Sequence, residues 1–287
     1  MTAIREDARG LSLGPEAVPY ILFAAFAAPT VVSLGHQVWN KESGAHGPII
    51  LGTALWLLWR VKDELKANGV PGSPILTGLG LIVSLGFYIF GRAYDFISLE
   101  VLGLYGACLS WIHAHVGVRA MLKEWFPLLY LGFIVPPPNW FMDELTAPLK
   151  LFVSTVSTDG LSAVGIPIAR EGVVLTVAEY TLLVEDACSG MNSLVGLTAI
   201  SLFYIYLLHN ASWRYAMVLV AMVIPIAIAA NIVRIVILVL LTYTYGNAVG
   251  QGFLHETAGM ILFVTALLLV FLLDNLLSRV WRPEGSK

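Results

Sequence analysis

Apolar residues run through this chain in blocks of roughly 15 to 25, separated by short polar stretches, a spacing that predicts bilayer-crossing helices rather than ten-residue alternating barrel strands. Eight spans are expected, at Val18–Val38, Gly47–Trp59, Ile75–Phe90, Leu99–Val118, Trp125–Val135, Cys188–Leu208, Trp213–Tyr243 and Thr257–Leu277, the second and fifth of them short. Between spans five and six the pattern changes. From Phe141 to Gly165 the residues Met142, Leu145, Leu149, Phe152, Val153 and Val156 recur at helical spacing, but Asp143, Glu144, Lys150 and Asp159 interrupt them. That mixture predicts a helix lying at the interface. The run Ile168–Val184 is rich in β-branched residues and reads as a small hairpin with its turn at Ala178–Glu179.

Charge gives the spans a direction. The segment Arg60–Lys66 with the turn-rich Asn68–Pro74, the pair Arg119 and Lys123, Arg214, and the tail with Arg279, Arg282 and Lys287 alternate along the chain so that all fall on the cytoplasmic side. Both termini are then cytoplasmic, and residues 136–187 and 245–256 lie outside. Composition agrees: of 287 residues 58% are hydrophobic and 12% charged, with a mean hydropathy of +0.81. The expected class is an all-α polytopic membrane protein of about eight transmembrane helices, with the interfacial helix and hairpin on its outer side. It is read as one integral membrane domain, 1–287, made of spans one to four (1–124), a core carrying the chemistry (125–278) and a basic tail (279–287). The net charge of −3 is uninformative here, because in a membrane protein the location of Lys and Arg matters more than their sum; no nucleic-acid footprint is visible, and the N-terminus lacks the pattern of a cleaved signal peptide. Two cysteines, one of them Cys108 inside an apolar run, support no disulfide framework.

The chemistry concentrates at Val184–Ser193, where Glu185, Asp186, Cys188, Ser189 and Gly190 stand at the start of an apolar run. Measured from the inner loop near Arg214, Cys188 lies about 26 residues back and Arg234 about 20 on, so at about 1.5 Å per residue both reach the outer third of the membrane. His255 stands at the outer mouth of span eight. A thiol, a guanidinium and an imidazole are thus expected at one level. A neighbouring cation or histidine favours the nucleophilic thiolate. An imidazole can take its proton and return it to a leaving amine, or can orient the group that does so. A guanidinium can stabilise the thiolate or an oxyanion. An arginine inside a span usually serves a function or pairs with a carboxylate. Asn231 shares a helix face with Arg234 and can orient it. Glu185 and Asp186 have three readings: orienting His255, pairing with Arg234, or capping span six. Arg170 and Glu171 are read as turn charges, Arg170 also as a contact for an acidic substrate residue. His113 and His115, two apart, point to different helix faces and make a poor metal pair. No zinc pattern and no phosphate loop is present, so no metal or cofactor is expected.

Ala187-Cys-Ser-Gly190 opening a span, Asn231-x-x-Arg234 in the next, and His255 with Gly259 at the mouth of the last together resemble the exosortase/archaeosortase family of membrane transpeptidases, and its bacterial branch in having histidine at the third position. Ile166–Gly172 and Val135-Pro-Pro-Pro138 are also similar to that family, extending the likeness over about Trp125–Phe263. The resemblance implies a cysteine enzyme of the bacterial inner membrane, with Cys188, Arg234 and His255 as catalytic residues facing the periplasm or exterior. Its substrates would be secreted proteins with a C-terminal sorting signal: a short motif such as Pro-Glu-Pro, a transmembrane helix and a basic tail. The acceptor would be a lipid or glycan at the cell surface, or water. Two rivals remain open from the residues: a transporter or channel with Arg234, Glu185 and Asp186 in its pathway, and a lipid acyltransferase using a Cys188 thioester.

Overall fold

The computed structural model describes residues 18–41, 44–183, 189–209, 213–246, 249, 264–269 and 271–276. Helix α1, Val18–Leu34, runs on into a π-helical turn at Gly35–Trp39; α2 is Gly47–Ala67, α3 Pro74–Ala93 and α4 Ile97–Lys123. A short α5, Trp125–Leu131, tightens into a 3₁₀ turn at Gly132–Ile134 and is followed by α6, Asn139–Ala163. Three strands, β1 Ile168–Glu171, β2 Val174–Val177 and β3 Tyr180–Leu183, lead to α7, Ser189–His209, and α8, Trp213–Tyr245. A last apolar helix, α9, covers Val264–Leu276. Four helices are long and apolar enough to cross a membrane among the described residues: Val18–Trp39, Pro74–Ala93, Ile97–Lys123 and Ala221–Tyr245. At 33 residues α8 is about 50 Å long, well beyond the hydrocarbon thickness, and it carries Pro225 inside it.

The helices start and stop for local reasons. Proline in the first turn pre-sets the backbone of α2 and α3 without losing a hydrogen bond. Gly117 (φ 67°, ψ 173°) breaks the regular path of α4 in the left-handed region that favours glycine. The apolar pattern misjudges two helices. Basic residues 60–66, expected in a loop, are helical because Val61 and Leu65, one turn apart, bury against Val116 and Ala120 of α4. Span five is a seven-residue helix and one 3₁₀ turn, since Pro136–Pro138 cannot continue a helix and disfavour it in the residue before them.

The expected single hairpin is instead a three-stranded antiparallel meander, ordered β1-β2-β3. Ile168 pairs with Val177 and Val174 with Leu183. Gly172 (φ 62°) makes the first turn, so Arg170 and Glu171 belong to β1 and not to a turn. Ala178 (φ 54°) makes the second, at the expected Ala178–Glu179.

Three apolar clusters hold the second half of the chain in place. Ile50, Ala54 and Leu57 of α2 meet Phe126, Tyr130 and Leu131 of α5 and Ala199 of α7. Leu197 and Ile205 of α7 meet Val223 of α8 and Ala266 of α9. Val153 and Leu161 of α6 meet Leu175 and Val177 of β2 and Ile235 and Val239 of α8, so the sheet is seated on the second half of α8. Where α1, α3 and α4 meet, Glu100 (3% exposed) accepts 2.8 Å hydrogen bonds from Thr30 Oγ1 and Arg92 Nη1. Helices α3 and α4 approach through glycine: a Cβ at Gly103 would meet the Tyr88 backbone nitrogen and lie 2.5 Å from the Ser84 carbonyl oxygen. Gly103→Val is therefore expected to lower the thermal midpoint in detergent, at a cost of roughly 1–3 kcal/mol from overpacking. An unchanged midpoint would mean the two helices do not meet there.

Candidate functional site

Arg234 lies on the half of α8 that carries the sheet, next to Ile235. It is 1% exposed, Asn231 one turn earlier is 5% exposed, and both are engaged in interactions there. The sequence pattern of an amide three residues before a guanidinium thus becomes one buried polar face on an otherwise apolar helix. Burying a guanidinium is unfavourable unless partners satisfy its fixed fork of donors. A guanidinium buried inside a span is a candidate functional position.

The described elements on either side of residues 184–188, β3 and α7, both adjoin α8 or the strand seated on it. Strand β3 ends at Leu183, paired with Val174, and the next residue of β2, Leu175, packs in the cluster that holds Ile235. From Leu183 the chain has residues 184–188 before α7 opens at Ser189. Helices α7 and α8 then pack antiparallel across a short connection, and residues 188 and 234 are each 21 residues from the facing helix ends, His209 and Trp213. Cys188, Glu185, Asp186 and His255 themselves lie outside the described residues.

Helix α9, which comes after the segment carrying His255, is held to α7 by a buried polar contact. Tyr204 Oη donates a 2.8 Å hydrogen bond to Asp274 Oδ2, Asp274 is 2% exposed, and Phe271 stacks at a tilt on the Tyr204 ring, centroids 4.6 Å apart. Sequence reasoning misses Asp274, though its signal is legible: a carboxylate in the apolar run Phe271-Leu-Leu-Asp-Asn-Leu-Leu277. The hydrogen bond fixes α9 against α7 at the level of Tyr204 and Asp274.

The other candidates separate from this place. Arg170 is exposed on β1 and donates to the carbonyl of Gly172 at 3.2 Å, bracing its own turn. His113 is buried with Nδ1 2.9 Å from Thr77 Oγ1, whereas His115 is exposed with Nδ1 2.9 Å from the Trp111 carbonyl, so the two rings serve different neighbours. Among the described residues no group of three or more His, Cys, Asp or Glu is placed to hold a metal ion. Cys108 is a free, half-buried thiol packed against the cluster of α2 and α5, the environment of a small hydrophobe.

Against known families, the model described as transmembrane exosortase aligns with residues 38–272. No curated protein and no solved structure matches.

Proposed function

The chain belongs to the transmembrane exosortase family, and on that premise we propose that it is a membrane-embedded cysteine transpeptidase of the bacterial inner membrane, with eight spans, both termini cytoplasmic and its site facing outward. The observation that carries this reading is the seating of the sheet. Residues 184–188 follow a strand whose partner, β2, packs against Ile235, the residue after the buried Arg234 on α8.

In the proposed reaction the Cys188 thiolate attacks the carbonyl carbon of a peptide bond beside the sorting motif of a secreted protein. Negative charge gathers on the carbonyl oxygen, where Arg234, held by Asn231, supplies a fixed cationic fork. Collapse of the intermediate breaks the C–N bond, and the departing amine takes the proton that His255 removed from the thiol. The signal's transmembrane helix and basic tail leave with that amine. The acyl half stays on Cys188 as a thioester until an amine or hydroxyl of a surface lipid or glycan, or water, attacks the same carbon and returns the thiol. Burial strengthens the part played by Arg234, because a charge in a low-dielectric site acts far more strongly than in water.

Trapping tests the thioester directly. Purified protein incubated with a synthetic sorting-signal peptide, digested and analysed by mass spectrometry should carry the acyl half of that peptide on Cys188, released by hydroxylamine. A fatty acyl chain on Cys188 would assign a lipid acyltransferase instead. Solute flux in vesicles that survives loss of the thiol, with no adduct, would assign a transporter.

A further inference from the structure

Where α7 passes the start of α2, the chain carries a buried glycine, Gly196. A Cβ there would lie 2.5 Å from His46 Cγ, 2.7 Å from Nδ1 and 2.8 Å from Cδ2, so the imidazole rests on the α7 backbone. Ordinary van der Waals contact begins at 3.4 Å. Any other residue at this position would have to push the ring or the helix back by about 1 Å, in an interior packed to crystal density.

The ring has little room to yield. Its closest atom is Cγ, which lies on the Cβ–Cγ axis and stays in place when the ring turns about that bond. The backbone that carries it is held as well. His46 is the N-cap of α2, and its carbonyl accepts a 3.1 Å hydrogen bond from the Ile50 nitrogen. The next residue, Gly47, is covered by a second ring, since a Cβ there would meet Nε1 and Cδ1 of Trp39 in the π-turn of α1. Two rings laid on two glycines thus join α1, α2 and α7. Burial lowers the His46 imidazole below its ordinary value, so the ring that rests on Gly196 at neutral pH is uncharged.

The contact lies near the start of α7. Gly196 is seven residues from Ser189, about 10 Å along the axis. Three residues further on, Ala199 packs in the cluster with Ile50 and Ala54 of α2. Toward the start of the helix the surroundings open. Val195, the residue before Gly196, borders with His46 a cavity of about 530 Å³ walled by the π-turn of α1, the starts of α2, α4 and α6, and the strip Phe133–Pro138. Open space offers no atoms to hold a helix in place. There the close approach of α7 to α2 is made by the His46 ring and not by a filled core.

We propose that His46 is a positioning residue for the cysteine reaction: its ring, resting on Gly196, sets the height of the first turns of α7, and with them that of Cys188, the residue immediately before the helix, against Arg234 on α8. The assignment rests on the reading of the chain as a peptide-cleaving cysteine enzyme. His46 itself touches no reacting atom in this role and acts through α7.

A size exchange tests it. The full chain with Cys108→Ser, which leaves Cys188 as its remaining thiol, is prepared in nanodiscs in four forms: otherwise unchanged, with Gly196→Ala, with His46→Ala, and with both. For each, alkylation of Cys188 by iodoacetamide is followed against pH by mass spectrometry, beside the thermal midpoint and kcat and KM for a synthetic sorting-signal peptide. Gly196→Ala is expected to raise the alkylation midpoint by about one pH unit, because a thiolate moved away from a cation is less favoured. It should lower kcat on the order of 10²-fold, the cost of a misplacement of about 1 Å, with a far smaller change in KM. Adding His46→Ala removes the ring that the new methyl strikes, and should return both quantities to those of His46→Ala alone, within about tenfold of the parent in kcat. A contact that served only the fold would lower the thermal midpoint and leave the alkylation midpoint and the kcat of the folded enzyme where they were; that result overturns the proposal. So does a loss in Gly196→Ala that His46→Ala fails to relieve. The alkylation series needs no substrate. A parent that forms no peptide adduct on Cys188 sinks the reading of the reaction, and the alkylation series then still decides whether His46 sets the place of the thiol.

Discussion

Cys188→Ala and Cys188→Ser are both expected to abolish processing of a sorting-signal substrate in cells, a loss on the order of 10⁴-fold or more in rate. Alanine removes the nucleophile. Serine keeps its size and polarity, but a hydroxyl is far harder to ionise than a thiol, and surroundings that favour a thiolate do not create an alkoxide. The measurement is the substrate's size by immunoblot at matched enzyme levels. Unchanged processing in both variants would remove Cys188 from the mechanism. Cys108→Ser provides the contrast: it sits half-buried against the α2–α5 cluster and should leave processing within a few-fold of the parent, separating the loss of one thiol from the loss of any thiol.

The parts of the fold that can be read from the chain are those where pattern and physics coincide. Long apolar runs form α1, α3, α4 and α8 close to the expected bounds, because length and hydropathy alone distinguish a span. The pattern misleads where tertiary contacts override it. Residues 60–66 look like a loop by charge, yet Val61 and Leu65 face α4 and carry α2 past the expected edge. Gly172 sits inside a continuous β-rich run, and its positive φ splits that run into two strands. For the site, Arg234 and Asn231 are legible because a guanidinium in an apolar run is energetically out of place, and both are buried on one face. Asp274 carries the same signal but sits near the end of a span, where charges are common; its partner Tyr204, 70 residues earlier, cannot be read from spacing at all. The cavity walled by the π-turn of α1, the starts of α2, α4 and α6 and the strip Phe133–Pro138 is illegible for a related reason, since its walls come from elements far apart in residue order.

Arg234→Lys keeps one positive charge on α8 and should still lower kcat by roughly 10²–10³-fold, with KM changed far less. The guanidinium presents five donors in a rigid plane, and at 1% exposure on a helix packed against the sheet its position is set by its surroundings. An ammonium on a flexible stem places a point charge nearby, but it cannot hold two hydrogen bonds to a developing oxyanion in that geometry. Asn231→Ala, which removes the neighbour one turn away, should lower kcat less than Arg234→Lys, since the charge remains and only its orientation loosens. Arg234→Leu tests the competing account in which the arginine merely balances a buried carboxylate. In that account the main effect is on folding, because removing one partner strands the other at several kcal/mol, and Arg234→Lys, which preserves the charge balance, restores activity along with stability. The expected outcome is the opposite for Lys: a thermal midpoint near the parent's and a kcat still down by about two orders of magnitude. Near-parental kcat in Arg234→Lys would reduce Arg234 to a structural counter-charge and leave the oxyanion without a donor on α8.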